Sequence, residues 1–71
     1  MNMHTLTIYD PIGKANRQVE ITIRRNGLKW DFQARFAGET TVLASATNLQ
    51  AAREDEVLAR ALQMTRDART A

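Results

Sequence analysis

The chain has 71 residues, one histidine and no cysteine, and its ten basic and eight acidic residues give a formal net charge of +2. A domain of this size has a thin core, and this composition excludes disulfides and the usual zinc frameworks as reinforcement. Dimerisation or docking on a partner is the remaining way to add stability. We expect one domain over residues 1–71, with no metal and no cofactor.

The N-terminal residues do not show the basic region and apolar run of a signal peptide, and every apolar run is far shorter than a membrane span. The absence of cysteine suits a reducing compartment. We therefore expect a cytoplasmic protein that does not enter a membrane. Six bases and four acids precede residue 48, so the excess positive charge belongs to that part of the chain.

Three strands are predicted in the first half of the chain. Residues 4–9 alternate apolar and polar side chains, as a half-buried strand does, and a type I turn follows at Asp10-Pro11-Ile12-Gly13. The strongest signal is Asn26-Gly27, which lies between alternating runs at residues 17–25 and 28–36. Both turn residues tolerate the positive φ of a type I′ turn, so the two runs should form a hairpin.

A two-residue turn at Asn26-Gly27 would determine which hairpin residues face each other. Its apolar face would carry the pairs Ile23–Trp30, Ile21–Phe32 and Val19–Ala34, with Leu28 on the same side. These side chains should form the core. Trp30 and Phe32 could instead form a stacking platform for bases, but their neighbours on that face are all apolar, which favours burial.

A fourth strand and a helix complete the prediction. Residues 40–46 predict the strand, and residues 48–69 predict an amphipathic helix. Thr47 with Gln50 three residues later fits a capping box, and Asn48 is the competing cap. The expected fold class is α+β: a four-stranded antiparallel meander with the C-terminal helix packed on its apolar face.

The clearest candidate site is the basic cluster Arg24, Arg25 and Lys29 at the hairpin turn. In the predicted register Arg24 faces Lys29, and directly opposed like charges are destabilising unless a negative group answers them. A phosphate backbone or an acidic protein surface would supply that group. The alternative is a turn charged only for solubility. Arg35 adds a further positive charge to this side of the sheet, which acidic residues interrupt.

Acidic residues at the helix start give a second candidate surface. The run Glu54-Asp55-Glu56 could be an acidic patch that docks on a basic, nucleic-acid-binding surface, although negative charge at a helix N-terminus is also explained by the helix dipole. Glu54 points near the centre of the apolar stripe, so it should contact something or lie beyond the sheet edge. Gly13-Lys14 with Arg17 could cradle a phosphate, but a lone Gly-Lys pair is more typical of a simple turn.

Catalysis is not expected. With one histidine and no cysteine, no motif places a base beside a nucleophile, and no catalytic or metal-ligating residues are assigned. We therefore interpret the chain as a binding protein rather than an enzyme.

The run from Ile21 to Ala68 resembles the YegP-like family of small β-β-β-α modules. The resemblance lies in Trp30-Asp31-Phe32, Ala37-Gly38-Glu39, the small apolar run 42–45 and the alanine-containing helix. The chain departs from that family by an extra N-terminal strand, by lacking the tandem repeat, and by lacking a glycine late in the helix. The resemblance implies the fold and carries no activity.

In build, the chain also resembles small proteins of phages and other mobile elements, including anti-CRISPR proteins. That resemblance implies a steric inhibitor that occupies a site on a large host defence complex. The leading hypothesis is thus a protein-binding module, with such an inhibitor as its specific form, using Arg24, Arg25, Lys29, Arg35, Glu54 and Glu56. The alternative is a small nucleic-acid-binding protein that uses the outer sheet face, as the arm-type domains of integrases do. A self-associating structural protein, such as a homodimer, is the third hypothesis.

Overall fold

One antiparallel sheet and one helix make up the structure, a computed structural model that describes residues 2–70. The elements are β1 (Asn2–Asp10), β2 (Ala15–Asn26), β3 (Lys29–Phe36), β4 (Ala44–Gln50) and α1 (Glu54–Ala68). The strands lie side by side in chain order, and α1 packs across β2, β3 and β4. The predicted α+β fold is confirmed. Within residues 2–70, no helix is long and apolar enough to cross a membrane.

The core lies between α1 and one face of the sheet, which we call the inner face. Because strand side chains alternate in direction, every second residue of β2 and β3 points inward. Seven of these residues and two from the helix are at most 7% exposed: Val19, Ile21, Ile23, Trp30, Phe32, Ala34, Phe36, Val57 and Ala61. The other face, which we call the outer face, carries mainly threonine, glutamine and charged residues. Trp30 and Phe32 are therefore core residues.

The β2–β3 hairpin turns at Gly27-Leu28, two residues out of the predicted register. Ile23 pairs with Phe32 and Ile21 with Ala34, whereas Asn26 stays in β2 opposite Lys29. Gly27 has a φ of 64° and Leu28 does not share this positive φ, which suits a type II′ turn with glycine first. A shift of two residues leaves the side chains of the paired strands on the same faces. The strand residues predicted to point inward therefore do so, although their predicted pairing partners are wrong.

Two consequences of this register correct the sequence analysis. Arg24 lies opposite Asp31, not Lys29, and its Nη2 is 3.1 Å from Asp31 Oδ2. The expected clash of like charges is therefore wrong. Leu28 is 87% exposed, so it is not part of the core.

The fourth strand and the helix both begin later than predicted. Thr47-Asn48-Leu49-Gln50, predicted as the helix start, lies within β4, and the helix begins at Glu54 with Arg53 as N-cap and no side-chain cap. Packing against β3 explains why these residues extend the strand and do not start the helix. Leu49 pairs with Trp30 and is half-buried at the periphery of the core. The indole Nε1 of Trp30 donates to the Ala51 carbonyl at 3.0 Å, which holds the end of β4 in place.

A β-bulge interrupts β4. Trp30 pairs with Leu49 and Phe32 with Ala46, so two residues, Thr47 and Asn48, oppose the single residue Asp31. Asn48 has a φ of 56°, a conformation that asparagine tolerates better than most residues. Its backbone N–H donates to Asp31 Oδ1 at 3.0 Å, and this bond, with that from Arg24, lowers the pKa of Asp31.

Side chains at the two ends of the helix contact β1. Glu54 accepts hydrogen bonds from Asn2 Nδ2 at 2.6 Å and pairs with His4 Nε2 at 2.7 Å. At the other end, Arg69 donates from Nε and Nη2 to the two carboxylate oxygens of Asp10, at 3.1 and 2.8 Å. The 15-residue helix is about 22 Å long, and six residue steps along a strand span about 20 Å. The matched lengths allow both end contacts to form together.

Candidate functional site

The six residues selected from the sequence do not share one surface. Arg24, Lys29 and Arg35 alternate with the core residues of β2 and β3 and so point to the outer face. Arg25 pairs with Trp30 and belongs to the inner side of the sheet. Arg35 lies six residues from Lys29 on the same strand, about 20 Å away. The structure thus brings together only Arg24, Arg25 and Lys29, around the turn.

We define the hairpin tip as residues 24–29. Three bases and no acid lie within it, and Leu28, at its end, is the most exposed large apolar side chain described. Arg25 Nε donates to the Gly27 carbonyl at 3.0 Å, and its guanidinium lies 5.4 Å from the centre of the Trp30 ring. These contacts hold the Arg25 side chain against the turn. The tip therefore presents one apolar side chain surrounded by positive charge.

The outer face is polar and mixed in charge. Arg24 pairs with Asp31, and Glu20 lies opposite Arg35 in the β2–β3 register. A shallow groove of about 410 Å³ crosses the face between them, lined in part by Thr22, Gln33, Ser45 and Thr47. Opposed charges of both signs leave this face without a continuous basic stripe.

The two glutamates at the helix start make contacts within the chain. The hydrogen bonds from Asn2 and His4 lower the pKa of Glu54, so this carboxylate is engaged with β1. Glu56 Oε2 accepts from the backbone N–H of Ala52 at 3.2 Å, which satisfies a donor just before the helix. Both residues thus have structural roles, and the expectation that Glu54 contacts something is met by β1.

A buried ion cluster, which the sequence analysis missed, lies at the far end of the sheet from the tip. Asp10 is fully buried. It accepts the two bonds from Arg69, a bond from the Ile12 N–H at 3.0 Å, and a longer contact of 3.6 Å from Arg17. The Arg69 hydrogen bonds, aided by those from the backbone, lower the pKa of Asp10 to about 2.

Arg17 completes this cluster. It pairs with Glu39, and its guanidinium lies 3.6 Å from the centre of the Phe36 ring. A Cβ at Gly13 would lie 2.8 Å from Asp10 Oδ2, so this glycine lets the turn approach the carboxylate. Gly13 and Arg17, considered above as a phosphate cradle, instead surround a carboxylate of the chain itself.

No protein-family model, curated protein or solved structure matches the chain. The resemblances to YegP-like modules and to anti-CRISPR proteins therefore stay predictions, and the site is interpreted from its geometry. Among residues 2–70, no three side chains of the types that bind metal ions converge.

Leu28 is the residue of the hairpin tip that the sequence analysis missed. A turn at Asn26-Gly27 predicts that Leu28 belongs to the alternating run of the next strand and points into the core. One signal pointed the other way: glycine at the first central position suits a type II′ turn and would place Leu28 in the turn itself. Because the sequence Asn26-Gly27-Leu28 is compatible with a type I′ turn at Asn26-Gly27 and with a type II′ turn at Gly27-Leu28, the local sequence does not distinguish the two.

Proposed function

We propose that the chain is a non-catalytic protein-binding module and that the hairpin tip is its contact surface. The observation that carries the proposal is the 87% exposure of Leu28 at the end of a tip with three bases. An aliphatic side chain surrounded by cations fits an apolar pocket with an acidic rim. The apolar contact would supply affinity, and the charges would supply orientation and rate of association.

The order of the tip supports this role. Lys29 begins β3 opposite Gln50 and Asn26 ends β2, so the turn continues two paired strands. The Arg25 side chain bonds back to the turn. A contact loop that is already ordered loses less conformational freedom on binding than a mobile one, which favours affinity.

The charge pattern favours a protein over a nucleic acid as partner. A phosphate backbone is bound by several cations in a row, whereas Asp31 and Glu20 lie opposite Arg24 and Arg35 on the outer face. Lys29 and Arg25 remain at the tip, and they point to different sides of the sheet. An acidic patch on a protein needs only such a local set of charges.

The specific form of the proposal is a steric inhibitor, encoded by a mobile element, of a large host defence complex. Its support is the small size, the polar outer face and an interaction surface that projects at one end of the sheet. A bound copy of this chain would exclude substrate or a subunit by occupying space, which requires no chemistry from its own residues.

A matched pair of variants tests the proposal. Tagged chain would be used to recover partners from a bacterial lysate, in parallel with Leu28→Ser and with the control Ile12→Ser. Ile12 is 54% exposed and lies in the β1–β2 turn, at the opposite end of β2. We expect a partner that is recovered by the wild type and the control and lost with Leu28→Ser. Titration of that purified partner should show at least tenfold weaker binding for Leu28→Ser, the effect of losing one good contact residue.

The variant Lys29→Glu tests whether the positive charge of the hairpin tip contributes to binding. It should weaken partner binding and make the remaining binding less sensitive to salt. Equal recovery of the partner by wild type and Leu28→Ser would contradict the proposal. Binding of duplex DNA or RNA at about 50 mM salt that falls steeply as salt rises, and that Lys29→Glu weakens, would establish the nucleic-acid alternative instead.

A further inference from the structure

The two edges of the sheet differ in how open they are to another strand. β4, at one edge, is interrupted by the bulge at Thr47-Asn48. β1, at the other, pairs with β2 without a break over nine residues. It contains no proline, lysine or arginine. Its histidine, His4, pairs with Glu54 of the helix, and its one acidic side chain, Asp10, is fully buried. No other strand among residues 2–70 pairs with the outer edge of β1. Long uninterrupted edges without such protection pair readily with a further strand.

The side chains of β1 are complementary to those of a second β1 in antiparallel orientation. A twofold axis perpendicular to the sheet, beside Leu6, would pair all nine residues and place both inner faces on the same side. On the outer face, Thr5 would oppose Thr7, and Met3 would oppose Tyr9. Met3 and Tyr9 are 61% and 59% exposed, and a thioether beside an aromatic ring is a favourable contact.

The inner side of the same edge carries half-buried leucines. Leu6 lies in β1, and Leu58 and Leu62 pack at the margin of the core. At 100° per residue, both helix leucines point to the same side as Arg69, which reaches Asp10 of β1. Leu6 of each copy would meet on the axis, and the helix leucines would approach the seam. The two ionisable side chains of the strand are already paired within their own copy, Asp10 with Arg69 and His4 with Glu54.

We infer that the outer edge of β1 is a homodimer interface, with two copies joined into one eight-stranded antiparallel sheet. The occupant is a second copy because this register sets threonine against threonine, methionine against tyrosine and leucine against leucine, and it opposes no like charges. The hairpin tips would lie at opposite ends of this sheet, because the twofold axis reverses the strands. The inference does not depend on what the tip binds.

Sedimentation of the full chain from about 1 µM to about 1 mM tests the interface. We expect a concentration-dependent dimer. Thr5→Lys with Thr7→Lys places lysine against lysine across the seam and should raise the dissociation constant at least tenfold. Thr47→Lys, on the opposite edge, is the matched control and should dimerise like the wild type. Circular dichroism and Trp30 fluorescence would verify that each variant is folded.

Cysteine pairing tests the register, since the natural chain contains no cysteine. Residues that oppose each other across an antiparallel seam have Cα atoms within disulfide range. A mixture of Thr5→Cys and Thr7→Cys chains should therefore cross-link under mild oxidation, faster than either chain alone. A monomer throughout the concentration range, or a dimer that Thr47→Lys disrupts and the paired lysines do not, would overturn the inference. Equal cross-linking rates in the mixture and the separate chains would also overturn it, because they exclude this register.

Discussion

Replacing Leu28 with alanine tests the position of the hairpin turn. Leu28 is 87% exposed, so about an eighth of its surface is covered. Full burial of a leucine side chain contributes about 1.5–3 kcal/mol, which gives an expected loss of about 0.2–0.4 kcal/mol for Leu28→Ala. If the turn lay at Asn26-Gly27 instead, Leu28 would be a core residue and its loss would cost about 2–5 kcal/mol. The two registers thus differ by a measurable margin.

Urea unfolding followed by Trp30 fluorescence is the assay, because the single tryptophan is 7% exposed and should respond to unfolding. Ile23→Val is the matched control on the neighbouring strand. Ile23 is 1% exposed and faces Phe32, so deleting one methylene there should cost about 0.5–1.5 kcal/mol. A loss above about 1 kcal/mol for Leu28→Ala, larger than that for Ile23→Val, would refute the register and the exposed tip.

Three further predictions concern the ion cluster and the bulge. Gly13→Ala should lower the urea midpoint, because the added Cβ would lie 2.8 Å from Asp10 Oδ2 and displace that carboxylate from Arg69; an unchanged midpoint would contradict the close approach. The pKa of Asp10 is lowered from 3.8 to about 2, so its contribution to stability is present above about pH 4 and is lost as the pH falls toward 2. Between about pH 4 and pH 2, the thermal unfolding midpoint should depend less on pH in Asp10→Asn than in the wild type. An equal slope of midpoint against pH in the two proteins would show that Asp10 does not contribute in this way. Asn48→Ala should cost about 1 kcal/mol at φ 56°, whereas Asn48→Gly should be nearly neutral in the same urea assay, and equal losses would argue against backbone strain.

The side-chain alternation of β2 and β3 was sufficient to predict the sheet and its buried face. Ile21 and Trp30 are core residues in both the predicted and the observed register, since a shift by two positions leaves every side chain on its own face. The helix was also predictable from its apolar stripe, because residues such as Val57 and Ala61 recur at helical spacing.

Exact pairing and boundaries were not predictable, because they depend on competing local signals and on distant contacts. Asn26-Gly27 and Gly27-Leu28 are both compatible with a two-residue turn. The sequence from Thr47 to Gln50 fits a capping box at a helix start, and it also fits the continuation of β4 beside Trp30. The pairing of Leu49 with Trp30 favours the strand. The partnership of Asp10 and Arg69 leaves no local pattern at all.

The two end contacts of the helix also constrain how the chain folds. His4 and Glu54 are 50 positions apart, and Asp10 and Arg69 are 59 apart, whereas the β2–β3 hairpin closes around a two-residue turn. Because distant residues lose more chain entropy when they meet, we expect the hairpin to form early and the helix to reach β1 late. Mutations at Glu54 and Arg69 should then accelerate unfolding and leave the refolding rate nearly unchanged.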